Sequence, residues 1–278
     1  MDWKGREQSQ NVEDRRGSSG GGGGRTPGIL GIIVVLIGAY YGVDLSGLVG
    51  TPSMGTGSTQ TSQLKPQEEA ELNELARVVL ADTEKAWGSY FKQIGRTYTP
   101  TTLVLYNGGT STACGMGQSA MGPFYCPGDQ KVYLDLDFYR DMQTKLNSAS
   151  DAAFAYVIAH EVGHHVQNLL GTLPQVHRMQ QQVGKKEANA LSVKLELQAD
   201  CYAGIWGHYA VNNNIFKPED IPKAMLAAES VGDDRLQKDG QGYVVPDSFT
   251  HGSSEQRMAW LKRGLDSGDI NQCNTFGN

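Results

Sequence analysis

Residues 151–170 read DAAFAYVIAHEVGHHVQNLL, a stretch that carries both a fold signal and a chemical one. Its bulky apolar residues return every three or four positions, which predicts one helix whose apolar face packs inward. That face contains Phe154, Ile158, Val162 and Leu169. A capping box at Ser148-x-x-Asp151 predicts where the helix starts, and Gly171 with Pro174 predicts that it ends at Leu170.

The less apolar face of the same helix carries His160, Glu161 and His164, an H-E-x-x-H motif. Two histidines four residues apart lie on adjacent turns of one face, so both can hold a single Zn²⁺. Glu161 lies about 100° round the helix from His160, close enough to take a proton from a metal-bound water. The alternative is a pair of polar surface histidines. His165 falls near the edge of the apolar face, where a packed or hydrogen-bonded histidine is the favoured interpretation.

A catalytic zinc needs a third protein ligand and keeps its fourth position for water. The metzincin motif would continue with glycine and histidine where this chain has Gln167 and Leu170, so that class is excluded. An acid on a later helix remains, and Glu196 in the run ELQAD is the best candidate.

Glu196 and Asp200 are four residues apart and share one helical face. One carboxylate can bind zinc while the other accepts the spare ring N–H of His160, a bond that metal-bound histidines usually make. Two solvated acids on a helix surface are the alternative, although the residues beside them look buried. Glu187 and Glu229 are the fallback ligands.

The rest of the chain indicates an α+β fold dominated by helices, with a small sheet. Strands are predicted at residues 102–106 and, from strict alternation, at residues 131–138. The alternating strand could offer an edge on which an extended peptide adds. Helical spacing predicts further helices at residues 67–91, 187–209, 218–231 and 254–265.

The N-terminal part of the chain differs from the rest in composition. Residues 1–25 are polar and end in a glycine tract, which predicts a disordered tail. Residues 26–43 carry no charge, and as a helix they would span about 27 Å, enough for a transmembrane anchor. A buried core segment and a cleaved signal peptide are the alternatives. Residues 44–64 predict a flexible linker, which leaves residues 65–278 as one domain.

Charge predicts the orientation of this anchor and excludes one class of partner. Arg15, Arg16 and Arg25 precede the apolar stretch, and Asp44 is the first charge after it. The N-terminus is therefore expected in the cytoplasm, with the domain outside the inner membrane. A formal net charge of −6 does not provide the basic surface that a polyanion binder needs, so nucleic acid is not an expected partner.

Four cysteines agree with an oxidising compartment. Cys114 and Cys126 bracket a loop rich in Gly, Met and Pro and would pair, so that Cys201 and Cys273 tie a helix to the C-terminal tail. Four cysteines allow three pairings, and the sequence alone does not choose among them. Free buried thiols are the alternative, whereas a zinc site made of these four is disfavoured because no C-x2-C spacing occurs.

Three segments resemble a known family: HEVGHHVQ at 160–167, ELQADCYAG at 196–204 and ACGMGQSAMGPFYCPGDQKVYLDL at 113–136. They look like the predicted neutral zinc metallopeptidases of bacteria, the YpfJ type, and the resemblance covers essentially the whole chain. That family is itself similar to gluzincin peptidases of the CAAX-prenyl-protease kind, which combine HExxH with the glutamate of an E-x-x-x-D motif. The resemblance implies a zincin-like fold and Zn²⁺ as the cofactor.

The resemblance also implies roles for individual residues. His160, His164 and Glu196 match the zinc ligands, Glu161 matches the general base, and Asp200 matches the carboxylate behind a ligating histidine.

A late histidine, followed by an arginine six residues on, is a further feature of those gluzincins. His251 and Arg257 match this spacing, although Gly252 stands where a proline usually follows the histidine. By resemblance, His251 or Arg257 would stabilise the oxyanion. On their own they look like a loop histidine and an arginine on a helix surface.

These expectations combine into a membrane-anchored zinc metalloendopeptidase acting on a peptide or protein substrate, with Glu161 as general base. The rival is a non-catalytic, membrane-tethered zinc module that binds a partner. Glu161 favours catalysis, because a structural zinc site has no use for a base. A third possibility, a small-molecule metallohydrolase, requires a closed pocket rather than a groove.

Overall fold

The computed structural model describes residues 1–17 and 62–277, which form an α+β fold dominated by helices, as predicted. The strands are β1 (Val12–Asp14), β2 (Thr102–Tyr106), β3 (Gly109–Thr112), β4 (Gly115–Gln118), β5 (Phe124–Cys126) and β6 (Lys131–Asp135). The helices are α1 (Pro66–Gln93), α2 (Phe138–Thr144), α3 (Asp151–Leu170), α4 (Thr172–Gln180), α5 (Lys185–Asn212), α6 (Ile221–Ser230), α7 (Asp233–Gln241) and α8 (Ser254–Ser267).

Helix α3 carries the H-E-x-x-H motif and is buried along most of its length. It ends at Leu170, as predicted. The N-cap is Ser150, whose Oγ accepts the N–H of Ala153 at 3.0 Å, so the predicted capping box at Ser148 is wrong by two positions. Gly171 ends the helix in the left-handed region, at a φ of 88°, which glycine adopts without steric cost.

Helices α5 and α8 pack in direct backbone contact. A β-carbon at Gly204 of α5 or at Gly264 of α8 would overlap backbone atoms of the other helix. Both positions therefore require glycine. The close approach brings Arg257 of α8 to Asp200 of α5, which connects the C-terminal part of the chain to the motif helix.

The main sheet has the strand order β1-β2-β6-β5, in which β5 alone is antiparallel to its neighbour. The strand predicted over residues 131–138 is shorter, because β6 ends at Asp135 and Phe138 already belongs to α2. Strand β6 is paired on both sides, so the expectation that it offers an edge to a peptide is wrong. Among the described residues, the edge at this side of the sheet is β5.

Residues 1–17 pack on the domain, so the predicted disorder is wrong for this part of the tail. Strand β1 pairs with β2 in parallel, and the N–H of Leu103 donates to the carbonyl of Asn11 at 2.9 Å. Trp3 is buried, and its Nε1 donates to Asp151 at the start of α3 at 2.8 Å. Partners far away in the chain provide this stabilisation, which is why the segment's own polar composition did not reveal it.

The predicted anchor at residues 26–43 lies outside the described residues, as do residues 18–25 and most of the predicted linker. Within residues 1–17 and 62–277, no helix is both long and apolar enough to cross a bilayer. The last residues of the predicted linker belong to the fold: Leu64 is buried, and Ser62 Oγ donates to Asp137 at 2.7 Å.

Two disulfides connect the four cysteines, Cys114–Cys126 and Cys201–Cys273. This is the pairing that the loop composition favoured. The first bond joins the turn between β3 and β4 to the edge strand β5. The second joins α5 to the short C-terminal turn Ile270–Cys273.

Candidate metal centre

Two histidines of α3 and one glutamate of α5 converge at a single point. One ligand atom from each of His160, His164 and Glu196 lies within 4.8 Å of the others. Nε2 of His160 is 3.0 Å from one oxygen of Glu196, and Nε2 of His164 is 3.3 Å from the other. Two imidazole nitrogens and a carboxylate are the ligand set of His₂Glu catalytic zinc sites. The donor chemistry therefore fits Zn²⁺.

Each of the two rings is held through Nδ1, which turns Nε2 toward the metal position. Nδ1 of His160 is 2.8 Å from Oδ1 of Asp200, and Nδ1 of His164 is 2.9 Å from Oε1 of Gln167. The Gln167 amide nitrogen donates to the carbonyl of Leu195 at 2.8 Å, which keeps the amide oxygen facing the ring. Because both partner oxygens act as acceptors, Nδ1 carries the proton and Nε2 is the metal-binding nitrogen in both rings.

Asp200 is fully buried and is neutralised by Arg257. Its two oxygens accept from Nε and Nη2 of Arg257 at 2.8 and 3.0 Å, and the hydroxyl of Tyr156 donates to it at 2.6 Å. Burial acts to raise the pKa of Asp200, but Arg257 and His160 hold that pKa at about 2. The carboxylate therefore stays ionised and remains an acceptor for His160.

The contacts of Arg257 differ from those of the oxyanion donor that the resemblance implied. It is 4% exposed, and it also donates to the carbonyl of Val231 at 3.3 Å and to the hydroxyl of Tyr156 at 3.2 Å. Buried groups therefore accept the hydrogen bonds of the guanidinium. Arg257 is neither placed as an oxyanion donor nor exposed on the helix surface. Arg257 acts on the site through Asp200.

Glu161 lies beside the two histidines on α3 and is 8% exposed. Burial raises the pKa of its carboxyl, although His160 and His164 act to lower it. A carboxylate with a raised pKa is a stronger base, which suits a group that takes a proton from water.

His251 is fixed by the carboxylate of Asp233. One oxygen of Asp233 accepts the backbone N–H groups of Thr250, His251 and Gly252 at 2.8, 2.7 and 3.1 Å. The other lies 3.3 Å from Nδ1 of His251. Burial lowers the pKa of His251, but Asp233 and Glu196 raise it by more, which favours a protonated ring that can donate.

Gly252 has a structural reason to stand where the related peptidases usually have proline. Its φ is 90°, whereas the proline ring fixes φ near about −65°. A β-carbon at this position would also lie 3.1 Å from the side chain of Leu197, which follows Glu196 on α5. This backbone conformation sets the loop with His251 closely against the helix that supplies the third candidate ligand.

The other singled-out residues lie outside the metal centre. Neither of the fallback ligands, Glu187 and Glu229, belongs to the group of three converging residues. His165 is buried, with its ring nitrogens 3.0 Å from the hydroxyl of Tyr125 and 2.7 Å from the carbonyl of Thr99. It is a packed, hydrogen-bonded histidine, as its place near the apolar face indicates.

Three residues of the site were missed from the sequence: Tyr156, Gln167 and Asp233. Tyr156 lies four residues before His160 and Gln167 lies three residues after His164, so helical spacing could have indicated both. Asp233 reaches its partners across 17 to 19 residues of chain, and no local pattern indicates it.

Comparison with known proteins places these residues in a family. The model of the family described as "Putative neutral zinc metallopeptidase" matches residues 1–276. The uncharacterized protein YpfJ of Escherichia coli is 53% identical over 287 residues, which cover 100% of this chain and 99% of that protein. An uncharacterized protein of Mycobacterium tuberculosis is 40% identical over 219 residues, 74% of this chain and 73% of that protein. No solved structure matches the chain significantly.

Proposed function

Because the chain belongs to the neutral zinc metallopeptidase family, we propose that it is a zinc-dependent endopeptidase that hydrolyses peptide bonds in a peptide or protein substrate. The convergence of His160, His164 and Glu196 beside Glu161 carries this proposal. Three protein ligands leave one coordination position for water, which is the arrangement of catalytic rather than structural zinc sites. A buried carboxylate with a raised pKa next to such a position is suited to act as a base.

Different residues of the site have different roles in the proposed hydrolysis. Zinc held by the three ligands would polarise the scissile carbonyl and lower the pKa of the attacking water. Glu161 takes the proton of that water and passes it to the leaving amine. His251, held by Asp233, donates a hydrogen bond to the developing oxyanion. Asp200 and Gln167 keep the two ligating rings in the productive tautomer.

Replacing the third ligand tests the zinc site directly. We expect Glu196→Gln in the full chain to lower zinc affinity by more than the roughly 100-fold that loss of an outer partner costs, and to abolish peptide cleavage. The control is Glu187→Gln, which removes an acid from the exposed first turn of the same helix. It should keep one zinc per chain in elemental analysis and full cleavage of a peptide library. Equal zinc content in both variants would overturn the ligand assignment.

We also propose that the domain lies outside the cytoplasm, attached to the membrane through residues 26–43. The two disulfides support an oxidising compartment. However, the pairing of β1 with β2 puts residues 1–17 and 62–277 in one compartment, whereas the predicted single crossing would separate them. The proposal therefore places the N-terminal segment on the same side as the domain, so that residues 26–43 would attach the chain to the membrane without the predicted single crossing.

Labelling of introduced cysteines checks this arrangement. Lys4 and Lys262 have side chains that are 72% and 62% exposed, so Lys4→Cys and Lys262→Cys should both react in intact cells with a reagent that does not cross the inner membrane. Reaction at position 262 in intact cells, but at position 4 only after permeabilisation, would instead support the predicted single crossing of the membrane.

A further inference from the structure

A series of amide hydrogen bonds leads from the candidate ligand His164 to the C-terminal disulfide. Oε1 of Gln167 lies 2.9 Å from Nδ1 of His164, and Nε2 of Gln167 donates to Oε1 of Gln198 at 3.0 Å. Nε2 of Gln198 donates in turn to the carbonyl of Cys273 at 3.0 Å. Both glutamines are buried, so loss of any partner leaves an unsatisfied polar group in the interior.

Each amide in this series fixes the orientation of the one before it. A flipped Gln167 would set its nitrogen against the N–H of His164 and its oxygen against the carbonyl of Leu195. It would also face the oxygen of Gln198, whose own orientation is set by the carbonyl of Cys273. The tautomer of His164 is thus determined by groups that end at the C-terminal part of the chain.

The carbonyl of Cys273 is itself anchored to α5. Cys273 is bonded to Cys201, three residues after Gln198, and Thr275 Oγ1 donates to the carbonyl of Lys194 at 2.6 Å, one turn before Gln198. These two attachments fix the C-terminal segment to α5 at positions before and after Gln198. The disulfide is therefore placed to support the hydrogen-bond series.

We propose that Gln167 and Gln198 are positioning residues for His164, and that the Cys201–Cys273 disulfide belongs to the support of the metal site. The proposal rests on the proposed zinc function. An acceptor on Nδ1 keeps Nε2 of His164 directed at the metal, and without it the ring can rotate or adopt the other tautomer. Metal affinity therefore depends on a disulfide that touches no ligand.

Variants of Gln167 test the first link with the full chain. We expect Gln167→Met to weaken zinc binding by about 10- to 100-fold, measured by competition with a chromophoric chelator, and to change the visible spectrum of the Co²⁺-loaded protein. Gln167→Glu keeps an acceptor for His164 but has no donor for the carbonyl of Leu195 and the oxygen of Gln198, so it should restore only part of the zinc affinity and of the spectrum. Wild-type affinity and spectrum in Gln167→Met would overturn the proposal. Absence of zinc binding in the wild-type chain would instead overturn the proposed function.

A double-mutant cycle tests the link to the disulfide. We expect Gln198→Met to weaken zinc binding about 10-fold when the disulfide is present, and to have little further effect in Cys201→Ala/Cys273→Ala. Removing the other bond with Cys114→Ala/Cys126→Ala controls for general loss of stability and should leave zinc affinity unchanged. Strictly additive effects, or an equal loss in the control, would overturn the link. If the variant without Cys201 and Cys273 does not fold, wild-type zinc affinity in Gln198→Met overturns it.

Discussion

Replacing Glu161 with glutamine should lower peptide hydrolysis by about 10²- to 10⁴-fold while zinc binding stays unchanged, because only the proton-accepting group is lost. Glutamine has nearly the same size and fits the same buried position, which is 8% exposed in the native chain. The amide has no lone pair basic enough to take a proton from water. The three candidate ligands and their outer partners are untouched by this change.

The measurement compares kcat/KM for a peptide selected from a library, with zinc content determined on the same samples. Glu187→Gln serves again as the matched control, since it removes one carboxylate far from the metal centre without altering the site. Hydrolysis near the wild-type rate by pure Glu161→Gln protein would exclude the general-base role. Zinc binding without cleavage of any library peptide by the wild-type chain would favour the non-catalytic module instead.

Much of the fold follows from local sequence patterns, and these are the parts that the sequence predicts well. Strand β2 has the predicted bounds, helix α3 ends at the predicted residue, and α1 and α5 extend one to three residues beyond their predicted ends. Each of these elements is predicted from the spacing of its own apolar residues, which lie close together in the chain. The H-E-x-x-H motif is equally local, because helix geometry alone puts His160 and His164 on one face.

Features that depend on distant partners could not be predicted in this way. Strand β1 is short and polar, and it forms only because β2, about 90 residues further along the chain, offers its edge. The resemblance implied that His251 or Arg257 stabilises the oxyanion. It could not indicate that Arg257 turns toward Asp200, because that depends on the contact of α5 and α8 at two glycines.

Replacing Arg257 with methionine should lower the free energy of unfolding by about 3–5 kcal/mol. The substitution removes the cation that pairs with both oxygens of the fully buried Asp200 and leaves only His160 beside the carboxylate, and a poorly compensated buried charge is strongly destabilising. The pKa of Asp200 is about 2, below its ordinary value of 3.8. The contribution of the ion pair is therefore present above about pH 4 and is lost as pH falls toward 2.

Urea unfolding of the metal-free chain, followed by tryptophan fluorescence, measures this loss, since bound zinc would add its own stabilisation. The double variant Arg257→Met/Asp200→Asn removes both charges and keeps an oxygen for Tyr156 and His160, so it should be more stable than Arg257→Met alone. Lys262→Met removes one partner of an exposed ion pair on the same helix and should cost less than about 1 kcal/mol. A similarly small cost for Arg257→Met would show that Asp200 does not need its cation, because the protonated acid or a local rearrangement would then satisfy the buried site equally well.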